Sequence, residues 1–312
     1  MRVRAARLVE HGKPLQIEDV DLPEPSDGEV LVELAYAGVN PVDRYAAEGK
    51  VALEGPLPRT LGGEAAGYLD GKPVVVAGEG VGVRRDGVFA AAAVVPRAAV
   101  IEVPGGVELI HAAGIGVVGA TAFRVVEIGE VGPNDRVLVL GGAGATGLAA
   151  ISYAASKGAP VWGHTGSTAK VDAIREMGAK DALVSDAAGL VAAVDDLKPT
   201  VVIDALGGEF TAAVIATMAP RGRLVLFGAS AGVEAKINLQ LLYRNQLRLL
   251  TYGGLGATTE ERREAISEAL AATAEGRMRI RIGAELPLES VNEVFALFAR
   301  REVAGKIVLR LR

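Results

Sequence analysis

The 312-residue chain is half apolar and only 23% charged, so it can bury the core of one large domain or two ordinary ones. Its formal net charge of −5 comes from interspersed acidic and basic residues, which excludes the basic surface expected of a partner for nucleic acid or anionic membranes. The absence of cysteine excludes disulfides, thiolate catalysis and cysteine-ligated zinc, and three widely spaced histidines argue against a histidine-built metal site.

The N-terminal residues contain no apolar signal segment, which predicts a cytoplasmic protein. The uncharged run 137–156 is long enough to span a membrane, but its glycines divide it into a strand, a turn and a helix, so we expect no membrane span. Only five asparagines and three glutamines accompany the missing cysteines, a composition typical of thermophile proteins.

The first 110 residues are predicted to form a β-rich domain. Short β segments separated by proline and glycine lie at 3–8, 29–37, 74–77 and 88–95. No amphipathic helix of good length precedes residue 108.

From about residue 120 strands alternate with helices. Apolar strands are predicted at 137–140, 160–163, 182–184, 201–203, 223–227 and 247–252. This alternation predicts a parallel sheet covered on both faces. Helices at 258–275 and 290–301 and a strand at 306–311 then follow, and we expect this tail to return to the N-terminal β domain.

A glycine-rich turn joins the first apolar strand of the parallel sheet to its helix. Gly142, Gly144 and Gly147 satisfy the G-x-G-x-x-G spacing, with Ala145 and Thr146 between the last two. Glycines at these positions permit a tight turn, close approach of a pyrophosphate and close helix–strand packing, and the helix N-terminus favours phosphate charge. The pattern predicts a dinucleotide site, and a purely structural glycine turn is the alternative.

Residues that follow the second strand of the sheet indicate the coenzyme. NAD sites place a carboxylate there to bind the ribose 2′-hydroxyl, but this chain has His164, Thr165 and Gly166, followed by Lys170. Small polar residues and a lysine suit a 2′-phosphate, so we expect NADP(H). Lys170 is alternatively a solvated helix residue, and His164 either stacks near the adenine or caps the strand.

Tyr153 and Lys157 match a Y-x-x-x-K pair in which lysine lowers the pKa of a catalytic tyrosine. In the short-chain dehydrogenases that use this pair, it follows the glycine turn by more than a hundred residues, whereas here it lies on the helix that the turn opens. We therefore interpret it as helix packing and a surface lysine.

Several segments together resemble one family. They are Gly38–Asp43 (GVNPVD), Gly87–Ala90 with Val95-Pro96, Thr121–Phe123, Asp204–Gly207, Phe227-Gly228 and Gly305-Lys306. In order and spacing they resemble the medium-chain dehydrogenase/reductase superfamily, and its zinc-independent, zeta-crystallin-like quinone oxidoreductases above all. The resemblance implies an α/β protein in which a Rossmann dinucleotide-binding domain (117–253) is inserted into a GroES-like, β-rich catalytic domain (1–116 and 254–312).

The resemblance also implies site residues. Asn40 is expected at the nicotinamide ribose or the substrate carbonyl, and Tyr45 as a hydroxyl donor to the substrate; the alternatives are a turn asparagine and a packed aromatic. Thr121 is expected at the coenzyme or as a helix cap. The remaining coenzyme positions that the resemblance implies are Leu206, Phe227, Gly228, Ala229, Gly305 and Lys306.

Zinc alcohol dehydrogenases of the same superfamily hold a catalytic zinc at positions that correspond here to Asn40, Gly63 and about Val117. None of the three is a good zinc ligand, so no metal is expected. The segment Tyr68–Val76 is shorter than is usual in the family, which leaves the shape of the substrate cleft open.

The resemblance and the missing metal together imply an NADPH-dependent reductase of small quinones or α,β-unsaturated carbonyls, because these acceptors take hydride without a Lewis acid. Reduction of enoyl thioesters is one alternative. A structural, crystallin-like or RNA-binding protein is another, although the acidic charge balance argues against RNA. A homodimer or homotetramer is expected from the family, with the edge of the dinucleotide sheet as its interface.

Overall fold

The computed structural model describes residues 1–312 apart from the side chain of Leu255. The chain is a mixed α/β protein of two compact units. The first unit comprises Met1–Val117, Thr258–Ala274 and Ile282–Arg312, and the second comprises Val118–Ala257 and Glu275–Arg281.

The N-terminal part of the first unit is rich in strands. Its strands are β1 (Arg2–Leu8), β2 (Gln16–Asp21), β3 (Glu29–Val39), β4 (Arg59–Thr60), β5 (Glu64–Leu69), β6 (Lys72–Ala77), β7 (Ala92–Pro96) and β8 (Val100–Glu102). Its helices are α1 (Pro41–Ala47) and α2 (Leu109–Ala112), and a π-helical turn follows at Ile115–Gly119.

Strands and helices alternate in the second unit. The helices are α3 (Ala120–Ile128), α4 (Ala145–Ser156), α5 (Val171–Glu176), α6 (Ala187–Val194), α7 (Gly208–Ile215) and α8 (Leu239–Arg244). The strands are β9 (Val137–Leu140), β10 (Val161–Thr165), β11 (Asp181–Val184), β12 (Val201–Asp204), β13 (Arg223–Leu226) and β14 (Arg248–Thr251).

The remaining elements belong to the first unit: α9 (Thr259–Ala274), β15 (Ile282–Pro287), α10 (Val291–Arg300) and β16 (Lys306–Arg310). Its large sheet has the order β15-β16-β3-β5-β6-β8, with β7 also paired to β3, and a small sheet has the order β2-β1-β4. The tail therefore returns to the N-terminal β elements, with β16 hydrogen-bonded between β15 and β3.

A tight hairpin joins β5 to β6. Asp70 and Gly71 form its two-residue turn and both have positive φ, at 51° and 76°. An Asp-Gly pair suits such a turn because two left-handed residues match the twist of the flanking strands. The short segment noted in the sequence is thus a minimal hairpin.

All six strands of the second unit pair in parallel, in the order β11-β10-β9-β12-β13-β14. Numbered within the unit, this is the order 3-2-1-4-5-6 of a dinucleotide-binding sheet. Every residue of β9 and β12 is buried, as expected for central strands that are covered on both faces. The expected α/β class is therefore confirmed.

Two details differ from the sequence prediction. The strand expected at 88–95 begins only at Ala92, because the backbone N–H groups of Val88 and Phe89 donate to the segment Leu61-Gly62 and that of Ala91 donates to Arg4. Strands β2, β4, β5, β8 and β15 were not among the predicted strands. No helix in the described part of the chain combines the length and the apolar character needed to cross a membrane.

Candidate active site

The glycine turn between β9 and α4 has one exposed position and two buried ones. A Cβ atom at Gly142 would lie 3.0 Å from the Gly163 Cα atom, and one at Gly147 would lie 2.5 Å from the Gly141 carbonyl oxygen. At Gly144 the nearest atom would be the Gly141 oxygen at 3.3 Å, and this residue is exposed at the N-cap of α4. The backbone there is accessible to a ligand beside the first N–H groups of α4, those of Ala145, Thr146 and Gly147.

Other expected coenzyme residues lie at the same edge of the parallel sheet. Leu206 follows β12, and Phe227–Ala229 follow β13, so these residues and the glycine turn all leave the carboxyl ends of central strands. The buried Asp204 carboxylate orders the β12 turn by accepting from the backbone N–H groups of Leu206 and Gly207 at 2.8 and 3.1 Å. Ligands of open α/β sheets bind at this edge, next to the strand where the order reverses.

The residues at the end of β10 and just after it occupy two environments. His164 is 1% exposed; its Nε2 atom lies 3.0 Å from the Ser185 carbonyl oxygen, and its ring packs against Phe210. Burial lowers the pKa of His164, and its Nδ1 atom has no hydrogen-bond partner among the described residues. Gly166 is exposed and Lys170 is half-buried at the end of a 3-10 turn. His164 is therefore a core residue of the second unit.

In the first unit, Asn40 is the N-cap residue of α1 and Pro41 is the first residue of the helix. The missing backbone N–H of proline loses no helical hydrogen bond at this position. The Asp43 carboxylate accepts from the Asn40 backbone N–H at 2.7 Å. The Asn40 carboxamide also contacts Glu64 on β5 and Lys306 on β16, so Asn40 is more than a turn asparagine.

A buried polar cluster surrounds the Asn40 carboxamide. The Lys306 ammonium donates to Asn40 Oδ1 at 2.7 Å and to Glu64 Oε1 at 2.6 Å, and the Asn40 Nδ2 donates to Glu64 Oε1 at 2.8 Å. The Val117 backbone N–H donates to Glu64 Oε2 at 2.8 Å. Lys306 is 1% exposed and Glu64 is not exposed at all. This ion pair thus joins α1, β5, β16 and the π-helical turn.

Asp43 is the second carboxyl of this region and is also buried. Burial raises the pKa of Asp43 to about 7, and the Glu64 charge adds to the rise; the Asn40 N–H and the Lys306 charge oppose it. Near neutral pH the Asp43 carboxyl is therefore partly protonated.

The other expected residues stand outside the cluster. Tyr45 is half-buried on α1, with the Arg44 guanidinium 5.2 Å from its ring centre. Thr121 is half-buried in the first turn of α3. Gly305 has a φ of 103°, which only glycine adopts without strain. It directly precedes Lys306, the first residue of β16.

Tyr153 is buried, and its hydroxyl donates to Glu127 Oε1 at 2.8 Å, while Lys157 pairs with the same oxygen at 2.6 Å. Burial and the Glu127 carboxylate raise the pKa of Tyr153 to about 12. A catalytic tyrosine needs the opposite shift, so the pair is structural, as the sequence interpretation holds.

The buried ion pair was missed in the sequence. Glu64 opens the apolar strand β5 and Lys306 opens the apolar strand β16. The available signal was one charged residue of opposite sign at the start of each of these two buried strands. Because buried charges are usually paired, this pattern indicates an ion pair between them.

A dinucleotide-type parallel sheet and a β-rich unit completed by the tail of the chain define a two-domain dehydrogenase or reductase. Comparisons with known proteins agree. Residues 145–273 match the family model described as zinc-binding dehydrogenase. Quinone oxidoreductase-like protein 2 of Bos taurus is 30% identical over 99% of this chain and 93% of its own length.

Solved structures are similar across both units. The quinone oxidoreductase of Thermus thermophilus, also determined in complex with NADPH, is 26% identical with a TM-score of 0.86, over 99% of this chain and 100% of its own. An NAD-dependent alcohol dehydrogenase is 28% identical with a TM-score of 0.88, over the same shares. The chain belongs to the quinone oxidoreductase branch of the medium-chain dehydrogenase/reductase superfamily, which confirms the resemblance, and it is an oxidoreductase.

Proposed function

We propose that the chain is a zinc-independent, NADPH-dependent reductase of small quinones or α,β-unsaturated carbonyls. The exposed backbone at Gly144, the N-cap residue of α4, is the observation that carries the proposal. When bound, the reduced nicotinamide supplies a hydride to the acceptor carbon, and the acceptor takes the accompanying proton from water.

The coenzyme fits the residues of the second unit. Gly142 and Gly147 let the turn pack against β10 and its own backbone, and Gly144 leaves room for a pyrophosphate at the helix N-terminus. Leu206 and Phe227–Ala229 are proposed to line the nicotinamide half, because they follow the neighbouring strands at the same edge.

A preference for NADP(H) over NAD(H) is supported by the end of β10. Neither Thr165 nor Gly166 offers a carboxylate to the ribose 2′-hydroxyl, and Lys170 supplies a positive charge five residues beyond the strand. One structural relative is a quinone oxidoreductase determined with NADPH, whereas another is an NAD-dependent alcohol dehydrogenase.

Metal-free reduction is supported by the donor types in the first unit. Asn40 uses both ends of its carboxamide in the buried cluster, and Gly63 and Val117 offer no side-chain ligand. A quinone or enone needs hydrogen bonds at its oxygen and correct orientation toward the coenzyme. Asn40 and Tyr45 are proposed to contribute these contacts, and Thr121 is proposed to bind the coenzyme.

The first unit is proposed as the catalytic, GroES-like domain and the second as the Rossmann domain. We further propose a homodimer or homotetramer formed through β14, the edge strand of the parallel sheet. Leu249 on β14 is 43% exposed, and Val233, Leu239 and Tyr243 are also exposed apolar residues of the second unit.

The test is a screen of NADPH oxidation over quinones, enals and crotonyl thioesters, with and without a metal chelator. Turnover of quinones or enals that survives chelation is expected, with lower turnover of thioesters. Activity lost on chelation would overturn the metal-free mechanism, and thioester preference would overturn the substrate class. Coenzyme binding is measured separately by fluorescence of Trp162 on β10. An unchanged signal and melting temperature would overturn the whole proposal.

A further inference from the structure

We propose that Lys306 and Glu64 are positioning residues that hold the Asn40 carboxamide in one orientation, with an N–H left for the substrate oxygen. The inference rests on the proposed reductase function. It gives Lys306, expected from the sequence at the coenzyme, a different task.

The two partners determine the orientation of the carboxamide. An ammonium group only donates hydrogen bonds, so the Asn40 oxygen must face Lys306 Nζ, which lies 2.7 Å away. A carboxylate only accepts, so the Asn40 nitrogen must face Glu64 Oε1, at 2.8 Å. A flipped amide would break both hydrogen bonds. It would place the Asn40 nitrogen against the Lys306 ammonium and the Asn40 oxygen against the Glu64 carboxylate.

Lys306 has no N–H to spare for a phosphate. Its three protons are donated to the Val39 carbonyl oxygen at 3.0 Å, to Asn40 and to Glu64. Since the residue is 1% exposed, a coenzyme contact would have to replace one of these bonds inside the first unit.

The backbone around the pair leaves space for it. A Cβ atom at Gly38 would lie 2.7 Å from Lys306 Cε and 2.9 Å from Glu64 Oε1. A Cβ atom at Gly116 would lie 3.2 Å from Glu64 Oε2. The nearest atoms to these Cβ positions are the Ala113 carbonyl oxygen, at 2.2 Å from Gly38, and the Ala77 Cβ atom, at 2.5 Å from Gly116, so these neighbours exclude a larger residue together with the ion pair.

One N–H of the Asn40 carboxamide has no short hydrogen bond and is proposed to donate to the substrate oxygen. The nearest acceptor for its second Nδ2 proton is the Gly38 carbonyl oxygen at 3.5 Å, a long and weak contact. Hydride addition to an enone moves an electron pair onto the carbonyl oxygen and gives an enolate, which is then protonated by water. An N–H that is already fixed in direction stabilises this developing charge without reorganisation.

The experiment is a double-mutant cycle with N40A, K306M and N40A/K306M, assayed for kcat, KM, the dissociation constant of NADPH and unfolding in urea. We expect K306M and N40A each to lower kcat by about 10²-fold, with little change in NADPH binding. The double variant should be no slower than N40A alone, because Lys306 acts through Asn40. Independent losses that multiply, or K306M weakening NADPH binding with kcat intact, would overturn the inference.

Loss of one buried charge can also unfold the protein, so E64M/K306M, which removes both charges, is measured beside K306M. A folded E64M/K306M with wild-type kcat would show that the pair is merely structural. R310M is the matched control, because Arg310 lies on the same strand in an exposed pair with Glu285 at 3.5 Å; it should keep wild-type kcat.

The orientation is also measured without turnover. In protein labelled with ¹⁵N-asparagine, the Asn40 side-chain protons should exchange slowly with water, and K306M should accelerate this exchange while R310M does not. If the wild type reduces no acceptor, the proposed function fails, but this measurement still tests whether Lys306 fixes the orientation of the Asn40 carboxamide. Rapid exchange in the wild type would overturn the inference while the reductase function stands.

Discussion

Replacing Asp43 with asparagine should remove a pH dependence of stability that the burial of this carboxyl creates. The pKa of Asp43 rises from 3.8 to about 7 in the folded protein. The folded state therefore holds this proton more tightly than the unfolded state. Its contribution to stability is complete below pH 3.8 and is lost as the pH rises through about 7.

The magnitude follows from the two pKa values. A rise of about three units corresponds to about 4 kcal/mol between the fully protonated and the fully charged limits. From about pH 5 to about pH 8, about 2.5 kcal/mol of this should be lost by the wild type and none by D43N. The amide keeps one acceptor for the Asn40 N–H, so any loss of hydrogen bonding shifts the stability of D43N by a constant amount.

Urea unfolding of both proteins across this pH range measures the difference, since groups other than Asp43 cancel. The exposed turn residue Asp70 provides the control, because D70N makes the same chemical change and asparagine tolerates its positive φ. A wild-type-minus-D43N difference that stays constant with pH would refute the desolvation argument. Carbon-13 NMR titration of labelled aspartate checks the pKa of Asp43 directly.

Four further variants test three separate parts of the structure. G144V should weaken coenzyme binding at least about tenfold, because its side chain occupies the exposed backbone at the N-terminus of α4, with its Cβ 3.3 Å from the Gly141 carbonyl oxygen. G147A should lower stability by about 1–3 kcal/mol through overpacking, because its Cβ would lie 2.5 Å from the same oxygen. Calorimetry and coenzyme titration separate the two effects. Y153F should lose about 1 kcal/mol of stability with kcat unchanged, and a large fall in kcat would give Tyr153 a chemical role. L249K should convert the proposed oligomer to a monomer in light scattering, and an unchanged mass would place the interface elsewhere.

Patterns confined to one stretch of chain were predictable. Apolar strands of the second unit and its glycine turn were located correctly because an unbroken apolar run, a glycine cluster and a helix are contiguous signals.

Features built from distant residues were not predictable. The contact of Glu64 with Lys306 depends on strand pairing between β16 and β3, which no local pattern encodes. β15 was not predicted either, although Ile282, Ala284 and Leu286 alternate with exposed residues, because a short run with glycine and proline at outward positions is a weak strand signal. The surroundings of the half-buried Tyr45 and Thr121 were not predictable either, because the local sequence does not determine which distant residues contact a side chain.

The separation between Glu64 and Lys306 has a consequence for biosynthesis. They lie 242 residues apart, and β16 supplies both the counter-ion of Glu64 and the hydrogen-bonding neighbour of β3. All strands of the parallel sheet leave the ribosome before β16 does. A nascent chain therefore completes its dinucleotide sheet while β3 still has an open edge and Glu64 an uncompensated charge. Ribosomal pausing before residue 306 would leave the earliest-made strands exposed to aggregation for longest.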